Sequence, residues 1–133
     1  GCSPDQLDSL YQFGRQLGLA FQVVDDILDF TGSDQQLGKP AASDLASGYL
    51  TAPTFYAMEE HAGLQPLISR EFSQEGDLDQ ALNMVRSSRA IPRTRELAET
   101  FAREAREAIA WLSDSPSKSA LLELPDLVLS RLY

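Results

Sequence analysis

An all-α fold is predicted by three features of this 133-residue sequence. Apolar residues recur at three- and four-residue spacing along most of its length, which is the period of a helix face. Ser, Asp and Pro stand where such segments begin, and Gly stands where several of them end. No stretch alternates apolar and polar residues between hairpin-type turns, so nothing reads as a strand.

The first segment, "SPDQLDSLYQFGRQLGLAFQVVDDILDFTG", has signals at both ends. Ser3 is placed to cap the helix, Pro4 to occupy its first position, Gln6 to complete a capping box, and Gly32 to stop it. Between them Leu10, Phe13, Leu17, Phe21, Val24 and Leu28 form one apolar stripe, so a single long helix is expected. Gly14 and Gly18 each cost roughly 1 kcal/mol relative to alanine inside a helix, which suggests close approach of another helix or a ligand.

"GSDQQLGKPAASDLASGYLTAP" follows, without periodicity, as a loop with room for one short helical turn. Irregular segments of this length tend to be lids or binding segments, a plain surface excursion being the alternative. Helical pattern resumes near Thr51 and runs through "PTFYAMEEH" to a stop at Gly63, followed by a shorter helix around "QPLISREFSQEG". Asp77 is placed to cap "LDQALNMVRSS", with Leu78, Leu82 and Val85 on one side. Pro92 opens "PRTRELAETFAREAREAIAWL", whose inner face is expected at Leu97, Phe101, Ala105, Ala108 and Leu112. In the last helical segment, "SALLELPDLVLSRLY", Pro125 should kink or interrupt the helix.

Composition narrows the function. Lys plus Arg number 11 against 20 Asp plus Glu, a net charge of -9 that repels phosphate backbones and anionic membranes. Nucleic acid is therefore not an expected partner. Cys2 alone excludes an internal disulfide and a multi-cysteine zinc site, and reads as a small buried hydrophobe or a bystander. No apolar run approaches the length of a membrane span, and the N-terminus has no signal-like core, so a soluble chain without an integral membrane segment is expected. The length fits one compact domain.

The sharpest signal is "FQVVDDILDF", residues 21–30. On a helix, Gln22, Asp25, Asp26 and Asp29 share one face about two turns long. Carboxylates about 6 Å apart repel by about 0.7 kcal/mol in water and about 3 kcal/mol at an effective dielectric of 20. The nearest basic residues in sequence, Arg15 and Lys39, are too distant for an i, i+4 pair. Two readings follow. One is a solvated acidic face of an acidic protein. The other is a divalent-cation site, since Mg²⁺ takes hard oxygen ligands and is commonly held by one or two carboxylates together with substrate phosphates.

Other residues invite functional readings that their settings disfavour. His61 ends a helix in "EEHAG" and reads as a surface residue beside the helix C-terminus. Trp111 and Phe101 read as core. Arg93, Arg95, Arg103 and Arg106 alternate with glutamates, which makes a mixed solvated face rather than a phosphate patch. With one histidine there is no hydrolase triad.

The wider context of the aspartates resembles the second aspartate-rich region of the trans-isoprenyl diphosphate synthases, most closely the long-chain polyprenyl members of solanesyl type. The matching elements, in order, are Phe21-Gln22, the aspartates 25, 26 and 29, Gly38-Lys39, Ser43-Asp44 and Thr51-Ala52-Pro53. "LYQFGRQLGLAFQ" before them and "RELAETFAREAREAI" after them also resemble family helices, so the similarity covers essentially the whole chain.

The resemblance implies an isoprenoid-synthase-type helical bundle, usually a homodimer, in the cytoplasm or in a plastid of a eukaryote. It implies Mg²⁺-dependent ionisation of an allylic diphosphate, coupling to isopentenyl diphosphate, and proton loss. Asp25 and Asp29 would hold Mg²⁺, with Asp26 as ligand or support. Lys39 would meet the diphosphate, Asp44 would orient or pair with it, Gln22 would lie beside the substrate, and Phe21 would pack in the cavity wall. Tyr49 stands where many members carry a second lysine. The family's other aspartate-rich motif is absent, and the sequence opens Gly-Cys-Ser without Met. The expectation is therefore the C-terminal half of a synthase, inactive alone and prone to associate through exposed inner faces. A non-catalytic subunit of a heteromeric synthase is the alternative. A class I terpene cyclase is a third option, against which the Gly38-Lys39 loop speaks.

Overall fold

A computed structural model describes residues 1–32, 38 and 40–133. Among these residues the chain is helical and without strands, as predicted. The helices are α1 (Pro4–Thr31), α2 (Ser43–Ala46), α3 (Ala52–Glu60), α4 (Leu64–Ser69), α5 (Asp77–Ser87), α6 (Ala90–Ala108) and α7 (Pro116–Ser130). Packing divides the chain into two compact units. Gly1–Val24 with Glu96–Tyr133 form one unit and Asp25–Arg95 the other.

In the first unit the capping box forms as expected. Ser3 N donates to Gln6 Oε1 at 2.9 Å and Gln6 N to Ser3 Oγ at 3.2 Å. Phe13 packs with Ala105 and Ile109, flanked by Leu10, Leu17, Ala108, Leu112, Leu121 and Leu122. Gln16 Nε2 donates to Glu104 Oε2 at 2.7 Å and ties α1 to α6. The buried line of α6 in this unit is Ala98, Ala102 and Ala105, continued by Ile109 just past its end, and is offset from the one read off Leu97 and Phe101. The alanines are fully buried, and Leu97 and Phe101 lie half-buried beside them.

Several other expectations are corrected here. A Cβ at Gly14 or Gly18 would meet nothing within 4 Å, so among the described residues no other helix of this chain closes on that side of either glycine. Trp111 is 41% exposed and donates from its indole to the Ala108 carbonyl at 3.0 Å, closing the end of α6 rather than filling a core. Cys2 is exposed. Ser115 caps α7, accepting from Lys118 N at 3.0 Å, and the helix continues through a buried Pro125 without interruption. Arg106 pairs with Asp126 and Arg103 with Glu107, which agrees with a mixed charged face.

In the second unit α3, α4 and α5 pack on one another. Ile27, Phe30, Leu45, Ala57, Leu64 and Val85 are fully buried there. α3 ends at Glu60, before the predicted Gly63 stop, because His61 turns to extended backbone. Gly63 leads into α4 and makes room for a neighbour: a Cβ there would lie 3.3 Å from Met84 Cε. His61 is half-buried with an unpartnered buried Nε2, so it is not the surface residue expected. Arg93 Nη1 donates to Glu59 Oε2 at 2.6 Å while its guanidinium lies 4.1 Å from the centre of the Tyr56 ring, joining α6 to α3.

Asp77 does not cap α5. Gly76, with φ 84, holds that position, and Asp77 is the first helical residue. Its buried carboxylate takes the fork of Arg70, Nε to Oδ2 at 2.7 Å and Nη2 to Oδ1 at 2.6 Å, and accepts from Gln74 N at 3.0 Å. The pair closes a turn in which Glu71 and Phe72 both sit in the left-handed region, at φ 55. Such non-glycine conformations cost of order 1–3 kcal/mol each and persist only when surrounding contacts impose them.

Two outcomes follow. The Arg70 hydrogen bonds hold the Asp77 carboxyl below the usual carboxylate range. Its contribution to stability is thus present above the unfolded pKa of about 3.9 and is lost as pH falls through the folded value. Asp77→Asn should lower stability at neutral pH and lose less of its urea midpoint between about pH 5 and about pH 2 than wild type, the window set by that linkage. Gly14→Ala should stabilise this chain by about 0.5–1 kcal/mol in urea unfolding, since the added methyl meets open space. Destabilisation would reveal a neighbour at that face.

Candidate functional site

The last two turns of α1 carry the acidic run, and they are not a solvated face. Gln22 is exposed and Asp25 half-buried. Asp26 is only 8% exposed and Asp29 2%. A buried carboxylate needs hydrogen bonds to offset its lost hydration. For Asp29 the chain supplies them from the start of α2. Ser43 Oγ donates to Oδ1 at 3.3 Å and Asp44 N to Oδ2 at 3.3 Å, while the Asp29 carbonyl accepts from Ala42 N at 2.7 Å.

This arrangement explains how a four-residue helix holds its place. α2 begins after Ala42, at φ 58 in the left-handed region, and has no side-chain cap of its own. Asp29 supplies the missing negative acceptor from α1, the partner that free N–H groups at a helix start favour. Asp44, half-buried within α2, accepts at its carbonyl from Tyr49 N at 2.8 Å. The loop predicted to be functional is thereby fastened to the acidic run.

A cation from α5 meets the end of α1. Arg86 Nε and Nη2 donate to the Phe30 carbonyl at 3.0 and 2.9 Å. α1 has no basic residue in its last turn, so Arg86 places a cation at the negative end of the helix. Sequence spacing gave no sign of this contact, since the two residues are 56 positions apart.

The remaining predicted residues are placed as follows. Phe21 lies on α1 one turn before Asp25, 48% exposed, with the Arg131 guanidinium 5.0 Å from its ring centre. Tyr49 is 69% exposed. Lys39 lies outside the described residues. A cavity of about 440 Å³ in the second unit is lined by Ala46, Ser47, Gly48, Leu50, Ile68, Glu71 and Phe72, and by none of the described motif residues.

Among the described residues no three His, Cys, Asp or Glu side chains are grouped to hold a metal ion, so the three aspartates do not form a protein-only cage. Such a cage is not what Mg²⁺ requires. That ion keeps several waters and takes one or two carboxylates plus phosphate oxygens. The donor set fits: Asp25 is half-buried rather than enclosed, and Asp29 is already held in one orientation by Ser43 and Asp44.

Removing the fastening should be measurable. Asp29→Ala leaves the Asp44 amide without its acceptor and is expected to destabilise the chain by about 2 kcal/mol in urea unfolding, whereas Ser43→Ala should cost about 1 kcal/mol.

Comparison with known proteins accords with this geometry. The Polyprenyl synthetase family matches residues 1–85. The chain is 54% identical over 129 residues to a prenyl transferase of Synechocystis, covering 97% of this chain and 40% of that protein. It superposes on an apo medium/long-chain length prenyl pyrophosphate synthase of Arabidopsis with a TM-score of 0.86 at 37% identity, covering 98% of this chain and 46% of that one. A Caulobacter crescentus polyprenyl synthase complexed with calcium and isoprenyl diphosphate gives 0.84 at 32% identity, over 98% of this chain and 41% of that one. The chain thus spans about 40% of the length of such a relative, and its helical fold is the one these synthases share. On the match across the acidic run and its loop, the chain belongs to the polyprenyl synthetase family.

Proposed function

We propose that the protein containing this chain is a prenyltransferase, with these residues as the C-terminal part of its helical domain. It condenses an allylic diphosphate with isopentenyl diphosphate to give a long-chain all-trans polyprenyl diphosphate, with Mg²⁺ as cofactor and as a homodimer. A location in the cytoplasm, or in a plastid of a eukaryote, belongs to the same proposal. The observation that carries it is the buried acidic turn of α1 with the α2 loop fastened to it through Asp29.

Electrostatics explains why a cation belongs there. A diphosphate brought to a cluster of aspartates in a chain of net charge -9 is repelled unless positive charge stands between them. A bound Mg²⁺, held by the aspartates, would supply the positive charge that stabilises a departing diphosphate. In the proposed arrangement Asp25 and Asp29 hold the ion and Asp26 supports them from its buried position. Lys39, between α1 and α2 in the sequence, would meet the same oxygens, where a preorganised donor acts most strongly once water is excluded. Asp44 orients that lysine, Gln22 lies beside the allylic substrate, and Phe21 contributes to the wall around its hydrocarbon chain.

The test is elongation of an allylic primer with labelled isopentenyl diphosphate by the protein containing this chain. Asp25→Ala should lower kcat/KM by about two orders of magnitude or more, the scale of losing a metal-held transition-state contact. Absence of elongation by the unaltered protein, over primers of several lengths, would contradict the proposal.

A further inference from the structure

We infer that Arg86 is a positioning residue for Asp29 and the start of α2, acting through the last turn of α1; this inference rests on the prenyltransferase reading. The Phe30 carbonyl is among the last four of α1, which lack the usual intrahelical partner. Both Nε and Nη2 of Arg86 converge on that one oxygen at 3.0 and 2.9 Å. A planar guanidinium presenting two fixed donors restrains the angle of approach as well as the distance, which a single flexible ammonium does not.

The residue before Phe30 is Asp29, whose carboxylate receives Ser43 Oγ and Asp44 N, and whose carbonyl receives Ala42 N. A continuous set of polar contacts therefore runs from α5 through the end of α1 to the start of α2. Each contact fixes the next. Arg86 sets the orientation of the final α1 turn, the turn sets Asp29, and Asp29 sets the residues at the start of α2. Arg86 also stands in the last turn of α5, where it would favour its own helix end, yet its fork is directed to α1. Both of these hydrogen bonds from the Arg86 fork end on the Phe30 backbone carbonyl, so the proposed effect passes through the backbone.

The test compares Arg86→Met, Arg86→Lys and unaltered protein, each as the protein containing this chain. Hydrogen exchange by mass spectrometry reads the segment across residues 41–45 and, as a control, the segment across residues 81–85. In Arg86→Met, exchange across 41–45 should rise about tenfold while 81–85 stays within twofold, the signature of a local opening rather than a global one. The Mg²⁺ concentration for half-maximal elongation should rise about tenfold, the usual scale for losing a partner that orients a metal ligand, with kcat falling less. Arg86→Lys, which retains charge and one donor direction, should recover part of both effects.

Unchanged exchange across 41–45 in Arg86→Met overturns the inference. So does an equal rise in both segments, or an Arg86→Lys protein no better than Arg86→Met. An unaltered protein that elongates nothing defeats the functional reading instead, and the exchange data then still decide whether Arg86 holds the loop.

Discussion

Asp29 sits inside the protein with its carboxylate satisfied by another segment of chain, and much of the candidate site depends on that contact. Lost hydration opposes burial of an ionised carboxylate, and only well-directed donors offset the loss. The donors come from Ser43 and Asp44, so the acidic turn and the loop are ordered by the same bonds. α2 has four residues and no cap of its own, too short to be stable alone. The requirement of α2 for an acceptor and that of Asp29 for donors are complementary.

In the proposed reading a hydrated cation meets Asp25, half-buried one turn before Asp29, while Arg86 serves the carbonyl end of α1. Magnesium keeps waters and accepts phosphate oxygens, so it suits a site with few protein ligands.

The parts legible from sequence were those governed by local rules. The capping box of Ser3 and Gln6 forms because its two bonds lie within one turn. The acidic run and the short helical turn in the loop were likewise read from spacing and composition. What escaped was tertiary. Asp77 has the look of an N-cap, but Arg70 provides a stronger partner across the Glu71–Phe72 reversal. The inner face of α6 was displaced because pattern reading weights Leu97 and Phe101 above the alanines, which are the fully buried residues. Trp111 satisfied its indole at a helix end instead of entering a core, and His61 went inward although its setting looked superficial. No periodicity could connect Arg86 with Phe30. Lys39, on which the diphosphate reading leans, lies outside the described residues.

The central claim is that the acidic turn exists to meet a diphosphate through a divalent ion. The most direct measurement is a crystal structure of the protein containing this chain, grown with Mn²⁺ and a non-hydrolysable allylic diphosphate analogue, with the metal located by anomalous scattering. The account predicts metal within about 2.0–2.3 Å of an Asp25 oxygen, bridged to the analogue's phosphates, while Asp29 keeps its bonds to Ser43 and Asp44. Analogue bound with its phosphates away from α1, or metal bound without Asp25, would contradict it.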